Sequence, residues 1–306
     1  MRVSTYKATF ASFLLISTAS LASAAIPTGP SLKPDLVPAS SVVSTTDAAI
    51  LRDAISAADR GNWSDVRRAE TQARDETVRQ LIRWYRGRGD VEMSFDELSS
   101  LLRTQGDWPY MTRPQVRAEE AIAGSTLSMA DRIAWFESVG GPISGEGRVA
   151  LADAYRATGN SAKATEVIRE AWHRNTLDNE TTQSVLDSYG SVLTQADHQQ
   201  RVDFLLWTNQ RTAASRLSSY VGSDWQKLIT ARSKLQARAA GVDAAVDAVP
   251  ASLMNNDGLV YDRAVWRRKA GQGSSSYVPL LEQVDGNRIP EAGRNELWNA
   301  RHGLIR

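Results

Sequence analysis

Apolar residues recur along most of this chain at the three- and four-residue spacing of an α-helix, most clearly in residues 148–175. A first apolar stripe there consists of Leu151, Ala154, Tyr155 and Thr158. A second consists of Ala164, Val167, Ile168 and Ala171. Gly159 between them suits a helix end, and Ser161 suits the start of the next helix. The small residues Ala152, Ala154 and Ala164 would allow close packing. The pattern predicts a helical hairpin of the tetratricopeptide type.

Helical signals continue on both sides of this hairpin. Helix starts are predicted at Asp47, Ser94 with Glu97, Thr112 with Pro114, Ser128 with Asp131, Thr194 with Asp197, and Pro290. No sustained period-two alternation or Asn-Gly turn indicates a strand. A strict repeat of about 34 residues is also absent. The sequence therefore predicts an all-α fold, an α-superhelix (solenoid) of tetratricopeptide-like hairpins with irregular helix lengths.

The first residues do not resemble the rest of the chain. Arg2 and Lys7 precede a short apolar run and an Ala-Ser-Ala motif, which together predict a signal peptide over residues 1–24. Residues 25–46 are rich in Pro, Ser and Thr and are predicted to be a linker. The superhelical domain would then occupy residues 47–306, with a flexible joint at residues 140–147, whose sequence is GGPISGEG.

Composition narrows the functional classes. The chain has 36 Lys and Arg, 35 Asp and Glu, and no cysteine. Residues 1–24 carry two of the basic residues and no acidic ones, so 34 basic and 35 acidic residues would remain after cleavage. This balance gives no argument for binding nucleic acid. The apolar run is too short to span a membrane, and the absence of cysteine excludes disulfides and a thiol nucleophile. A periplasmic protein is predicted.

Few residues suggest a catalytic, metal or ligand-binding site. Glu137-Ser138 matches the opening of the catalytic motif of lytic transglycosylases, but neither of that motif's continuations follows, so a surface glutamate near a helix end is favoured. The three histidines lack metal-site spacing, and residues 140–147 lack a phosphate-loop signature. No catalytic residue, cofactor or metal is predicted. A ligand-binding surface is predicted from two basic aromatic clusters, at Arg83, Trp84 and Arg86, and at Trp266 and Arg267. A solvated helix face is the more common explanation of such clusters.

Taken in order, several segments resemble the N-terminal superhelical part of the soluble lytic transglycosylase family. They are LIRWYR (81–86), LLRTQGDWP (101–109), SGEGRVALADAYRATGN (144–160), RVDFLLWTNQRTAASRL (201–217) and LVYDRAVWRRKAGQ (259–272). The resemblance covers roughly residues 47–306. In that family, a ring or U of helices precedes a lysozyme-like domain that cleaves peptidoglycan and forms a 1,6-anhydro product. The resembling segments do not include that domain, so no catalytic glutamate is carried over, and we expect the superhelical part to be truncated before a catalytic domain.

The resemblance implies a module that holds peptidoglycan strands or docks proteins of the cell-wall machinery. The alternative is a tetratricopeptide-like scaffold for protein–protein interactions without peptidoglycan contact. A third hypothesis, an enzyme in its own right, is disfavoured by the missing motifs. Leu297, Trp298, Leu304 and Ile305 near the C-terminus also predict an uncapped apolar end, on which a catalytic domain would pack.

Overall fold

The structure, a computed structural model, describes residues 43–304, and it confirms the predicted all-α class. Sixteen α-helices and no strand are present in this part of the chain. The helices are α1 Thr45–Asp59, α2 Trp63–Gln72, α3 Glu76–Gly89, α4 Phe95–Gln105, α5 Thr112–Ala121, α6 Met129–Ser138, α7 Gly145–Ala157, α8 Ser161–Arg174, α9 Asn179–Tyr189, α10 Gln195–Trp207, α11 Arg211–Arg216, α12 Ser223–Ala237, α13 Val242–Asp247, α14 Asp257–Lys269, α15 Val278–Gln283 and α16 Glu291–His302. The predicted signal peptide, most of the predicted linker, and Ile305 lie outside the described residues.

Side chains at helix starts follow the sequence signals closely. Ser94 with Glu97 and Thr194 with Asp197 both form reciprocal capping boxes, which satisfy backbone N–H groups that have no partner within the helix. Two predicted helix caps differ from those in the structure. Asp47 lies inside the first turn of α1 and accepts a hydrogen bond from the backbone N–H of Arg74, at 2.8 Å. Asn160, rather than Ser161, caps α8.

The predicted hairpin is formed by α7 and α8. Gly159 adopts the left-handed conformation, with φ of 84°, and the chain reverses in the three residues between α7 and α8. Ala152, Ala154 and Ala164 are all buried, so the two helices pack with little side-chain bulk between them. Trp172, at the end of α8, is also completely buried and belongs to the largest apolar cluster.

Most helices contact those next to them in the chain, but the C-terminal helices turn back. Helix α10 contacts α8, α11, α12 and α14, and it also contacts α16. At the α10–α16 contact, a Cβ atom on Gly293 would lie 2.7 Å from the indole ring of Trp207, so glycine is required there. A strictly linear stack of repeats would not bring α16 back to α10.

Residues 140–147, predicted as a joint, are anchored by a buried carboxylate. Glu119 accepts hydrogen bonds from the backbone N–H groups of Ile143 and Ser144, at 2.9 and 2.8 Å. It also accepts one from the Ser144 hydroxyl at 2.5 Å. A Cβ atom on Gly147 would lie 2.3 Å from Glu119 Oε2, so this glycine provides room for the carboxylate. The glycines here therefore serve a turn and a close contact.

A buried arginine links the first helices. The guanidinium of Arg86 in α3 contacts Glu70 of α2 at 2.7 Å, Asp90 at 2.9 Å and Glu97 of α4 at 2.7 Å. Its side chain is only 7% exposed, and that of Asp90 is fully buried. Its donors therefore have carboxylate partners on three segments, and removal of the guanidinium would take from Asp90 the more buried of its two arginine partners.

We expect Arg86→Met to lower the free energy of unfolding by about 2 kcal/mol, because Glu70 and Asp90 would each lose a buried partner and keep only the more exposed Arg83 and Arg67. Chemical denaturation at pH 7 measures this. The control is Arg68→Met, because the Arg68–Asp65 pair is largely exposed and such pairs contribute about 0–1 kcal/mol. A loss for Arg86→Met no larger than that of the control would contradict the assigned role.

Candidate functional site

The structure separates the residues of the first predicted cluster onto two sides of α3. Arg86 is buried in the network described above, and Arg83 bonds to Glu70 at 2.8 Å. Trp84 lies on another face of the helix, where its ring packs against the apolar cluster of α4–α7. Of the three predicted residues, Trp84 alone contributes to the aromatic surface described next.

The second predicted cluster does not join the first. Trp266 is half-buried and packs against the apolar cluster formed by α12, α13 and α14. Arg267 donates a hydrogen bond to the carbonyl of Ser276 at 2.7 Å, so it holds the segment between α14 and α15. Because Trp84 and Trp266 pack in different clusters, the two predicted groups do not form one surface.

A partly exposed group of aromatic rings and one arginine surrounds Trp84. We call it the aromatic patch: Trp84, Tyr85, Arg88, Trp108 and Tyr110. The Trp84 ring centroid lies 5.1 Å from that of Tyr85 and 6.4 Å from those of Trp108 and Tyr110. The Arg88 guanidinium carbon lies 4.6 Å from the Trp84 ring and 5.0 Å from the Tyr110 ring. These distances are those of cation–π contacts.

The loop between α4 and α5 holds two rings of this patch in place. The indole N–H of Trp84 donates to the carbonyl of Pro109 at 2.8 Å, which ties the loop to α3. Tyr110 adopts a left-handed backbone conformation, with φ of 63°, and it is 70% exposed. A bulky residue in that conformation is strained, and such strain often accompanies a functional site.

A groove of about 390 Å³ lies beside the patch. It is lined by aromatic and charged side chains and two small residues: Trp63, Tyr85, Tyr110, Arg88, Arg113, Asp59, Ala58 and Gly89. Gly89 allows Trp63 to approach, since a Cβ atom there would lie 2.3 Å from the indole ring. In residues 43–304, neither Arg88 nor Arg113 has a carboxylate partner, so both guanidinium groups are available to a ligand.

A polar cavity also borders this loop. This cavity of about 410 Å³ is lined by Trp108, Gln105, Met111, Gln115 and neighbouring residues. Gln105 is 2% exposed, and its amide N–H group donates to the carbonyl of Gln80 at 2.9 Å. Its carbonyl oxygen Oε1 is buried without a hydrogen-bond partner in the described part of the chain. An unpaired buried acceptor is costly, which suits a site that receives a donor from a ligand.

These features describe a surface that suits a sugar chain with acidic groups. Aromatic faces can stack on the apolar faces of sugar rings, and guanidinium groups bind carboxylates by two parallel hydrogen bonds. Of the residues at this surface, only Trp84 was predicted as a site residue. Arg88, Trp108 and Tyr110 were not. Trp108 and Tyr110 lie in a loop without periodicity, so no sequence pattern places their rings beside Trp84.

The structure also places the other residues that the sequence analysis considered for catalysis or metal binding. Glu137 is exposed in the last turn of α6, in agreement with the predicted surface glutamate. Within residues 43–304, no three His, Asp or Glu residues are grouped so that they could hold a metal ion. None of the helices in that range has the length and apolarity needed to cross a membrane.

Comparison of the chain with models of protein families, with curated proteins and with solved structures finds no match. The functional assignment therefore depends on the residues of the aromatic patch and on their surroundings.

The strain at Tyr110 is testable by a pair of substitutions. We expect Tyr110→Gly to be more stable than Tyr110→Ala by about 1 kcal/mol, because both remove the ring but only glycine adopts φ near 63° without strain. Thermal or chemical denaturation of both variants measures this difference. Equal stabilities would mean that the backbone at Tyr110 is not left-handed in solution.

Proposed function

We propose that this chain is a non-catalytic, periplasmic module that binds the glycan strands of peptidoglycan through the aromatic patch. The observation that carries the proposal is the group of partly exposed rings beside the guanidinium groups of Arg88 and Arg113, which have no carboxylate partner within residues 43–304. The N-acetylmuramic acid units of peptidoglycan supply what such a surface needs, a sugar face and a carboxylate.

The resemblance to soluble lytic transglycosylases leads to the same proposal. Two of the sequence segments that carry this resemblance contain Trp84 and Trp108, which belong to the aromatic patch. The all-helical architecture and the α7–α8 hairpin are compatible with a superhelix of tetratricopeptide-like hairpins, and we include this arrangement in the proposal. The module would act in cell-wall turnover by positioning a strand for another protein.

We expect the purified protein to co-sediment with insoluble peptidoglycan and Tyr110→Ala to weaken this binding by about fivefold or more. Truncation of an aromatic contact residue typically costs about 1 kcal/mol or more in binding. Tyr110→Phe keeps the ring and should bind nearly as well as the unaltered protein. Trp298→Ala is the matched control, because Trp298 is 63% exposed but lies on α16, outside the patch.

A second polysaccharide tests how much the carboxylate of the glycan contributes to binding. Chitin has N-acetylglucosamine units but no lactyl carboxylate, so it should bind more weakly than peptidoglycan. Arg88→Gln should remove most of this preference, since glutamine cannot form the bidentate ion pair. If the protein binds neither polymer, the proposal fails, and a scaffold for protein–protein interactions becomes the better hypothesis.

We also expect the purified protein not to cleave peptidoglycan. General acid–base cleavage of a glycosidic bond needs a carboxyl group held in an enclosed site, whereas Glu137 is exposed on α6. Chromatography of digests would show no 1,6-anhydromuropeptides above a blank. Their release by the protein, with loss of the activity in Glu137→Gln, would contradict this expectation.

A further inference from the structure

A second site lies at the other end of the described chain, in the cleft where α16 returns toward α10. The cleft has a volume of about 910 Å³, which is within the range of small-molecule sites. Its apolar surfaces come from Phe204, Trp225, Ile289 and Pro290. Polar side chains from α8, α10 and α16 surround these surfaces and give the cleft its charge.

Some charges in the cleft are already neutralised by the protein. Asp203 bonds to the buried Arg232 at 2.6 Å. Arg288 contacts Asp257 at 3.1 Å and Asp285 at 3.6 Å. Neither Asp203 nor Arg288 therefore offers a full unpaired charge to a ligand.

Other charged side chains of the cleft have no ion pair within the described residues. Arg174, at the end of α8, has no ion pair or hydrogen bond from its side chain in the described structure. Arg294, in the first turns of α16, bonds only to the carbonyl of Gly286, at 3.0 Å. Glu291 is the unpaired acid, and the carboxamides of Gln200 and Asn295 make no hydrogen bond within residues 43–304. The free groups are thus two guanidiniums, one carboxylate and two carboxamides.

His173 adds a hydrogen-bond acceptor. Its Nε2 lies 2.9 Å from Asp197 Oδ1, and burial lowers the pKa of His173 although Asp197 opposes this. A lowered pKa favours the neutral imidazole, in which Nε2–H donates to Asp197 and Nδ1 is left as an acceptor.

We propose that this cleft binds a short acidic peptide. Guanidinium groups recognise carboxylates bidentately, so Arg174 and Arg294 would hold a carboxylate side chain and the C-terminal carboxylate. Glu291 would contact the N-terminal ammonium group, and the carboxamides of Gln200 and Asn295 would bond to peptide groups. The apolar surfaces of Phe204 and Trp225 would contact the aliphatic part of the ligand. This site is independent of the aromatic patch and does not require glycan binding.

The probe is the tripeptide Glu-Ala-Glu with free termini, titrated into the full chain by isothermal calorimetry at low ionic strength. We expect saturable binding with a Kd below about 1 mM. The analogue Gln-Ala-Gln, amidated at its C-terminus, keeps the N-terminal ammonium group but has no carboxylate. It should bind at least about tenfold more weakly, because it lacks the groups that the guanidiniums recognise.

Matched variants test the location of this site. The double variant Arg174→Gln with Arg294→Gln should weaken binding by about tenfold or more, since it removes both unpaired guanidiniums. The control is Arg52→Gln with Arg60→Gln, an equal change of net charge at exposed positions of α1 and its following turn. Tyr110→Ala should leave tripeptide binding unchanged, which separates this site from the proposed glycan surface. Circular dichroism checks that each variant is folded.

Two results would overturn the proposal. Absence of tripeptide binding at millimolar concentration would show that the cleft does not recognise acidic peptides. Equal weakening by the cleft variant and the α1 variant would show that binding depends on overall charge and not on this cleft.

Discussion

Buried arginines that join neighbouring helices are the constraint on which the rest of the structure depends. Arg86 joins α3 to α2 and α4, and Arg232, with a fully buried side chain, joins α12 to Asp203 of α10 and Asp262 of α14. Replacement of a buried ion pair by apolar residues often changes stability little, so such pairs are not mainly a source of net stability. Instead, each planar guanidinium group donates hydrogen bonds in fixed directions, so its carboxylate partners are reached in only one relative position of the helices.

Other arginines satisfy carbonyl groups at helix ends. Arg201, in α10, is buried and donates to the carbonyls of Trp172 and Asn175, at the end of α8. Burial lowers the pKa of Arg201 to about 10, which still leaves it charged at neutral pH. Arg301 likewise donates to carbonyls at the end of α15, including that of Val284 at 2.8 Å. The last carbonyls of a helix lack partners within it, so these contacts stabilise both the helix end and the adjacent helix.

The sequence predicts the helices well because their signals are local. The capping boxes at Ser94 and Thr194 and the left-handed Gly159 each involve residues within a few positions of one another. The partners of Arg86 could not be predicted in this way, since Glu70 and Glu97 lie on other helices and periodicity does not specify which helix faces meet. The same limit applies to the site. Trp84 was predicted from its own helix, whereas Tyr110 reaches it from a loop whose conformation depends on tertiary contacts.

The return of α16 to α10 connects the fold to the proposed peptide cleft. Gly293 lets α16 approach the ring of Trp207, and the adjoining residues Glu291, Arg294 and Asn295 line the cleft on that side. Trp207 also lies 5.4 Å from the guanidinium of Arg232, whose carboxylate partner Asp203 lines the opposite side. The width of the cleft is therefore set by the same close contact and buried ion pair that fix the helix positions. A ligand there would meet a backbone already positioned by the fold, whereas the exposed side chains of Arg174 and Arg294 would lose rotamer freedom on binding.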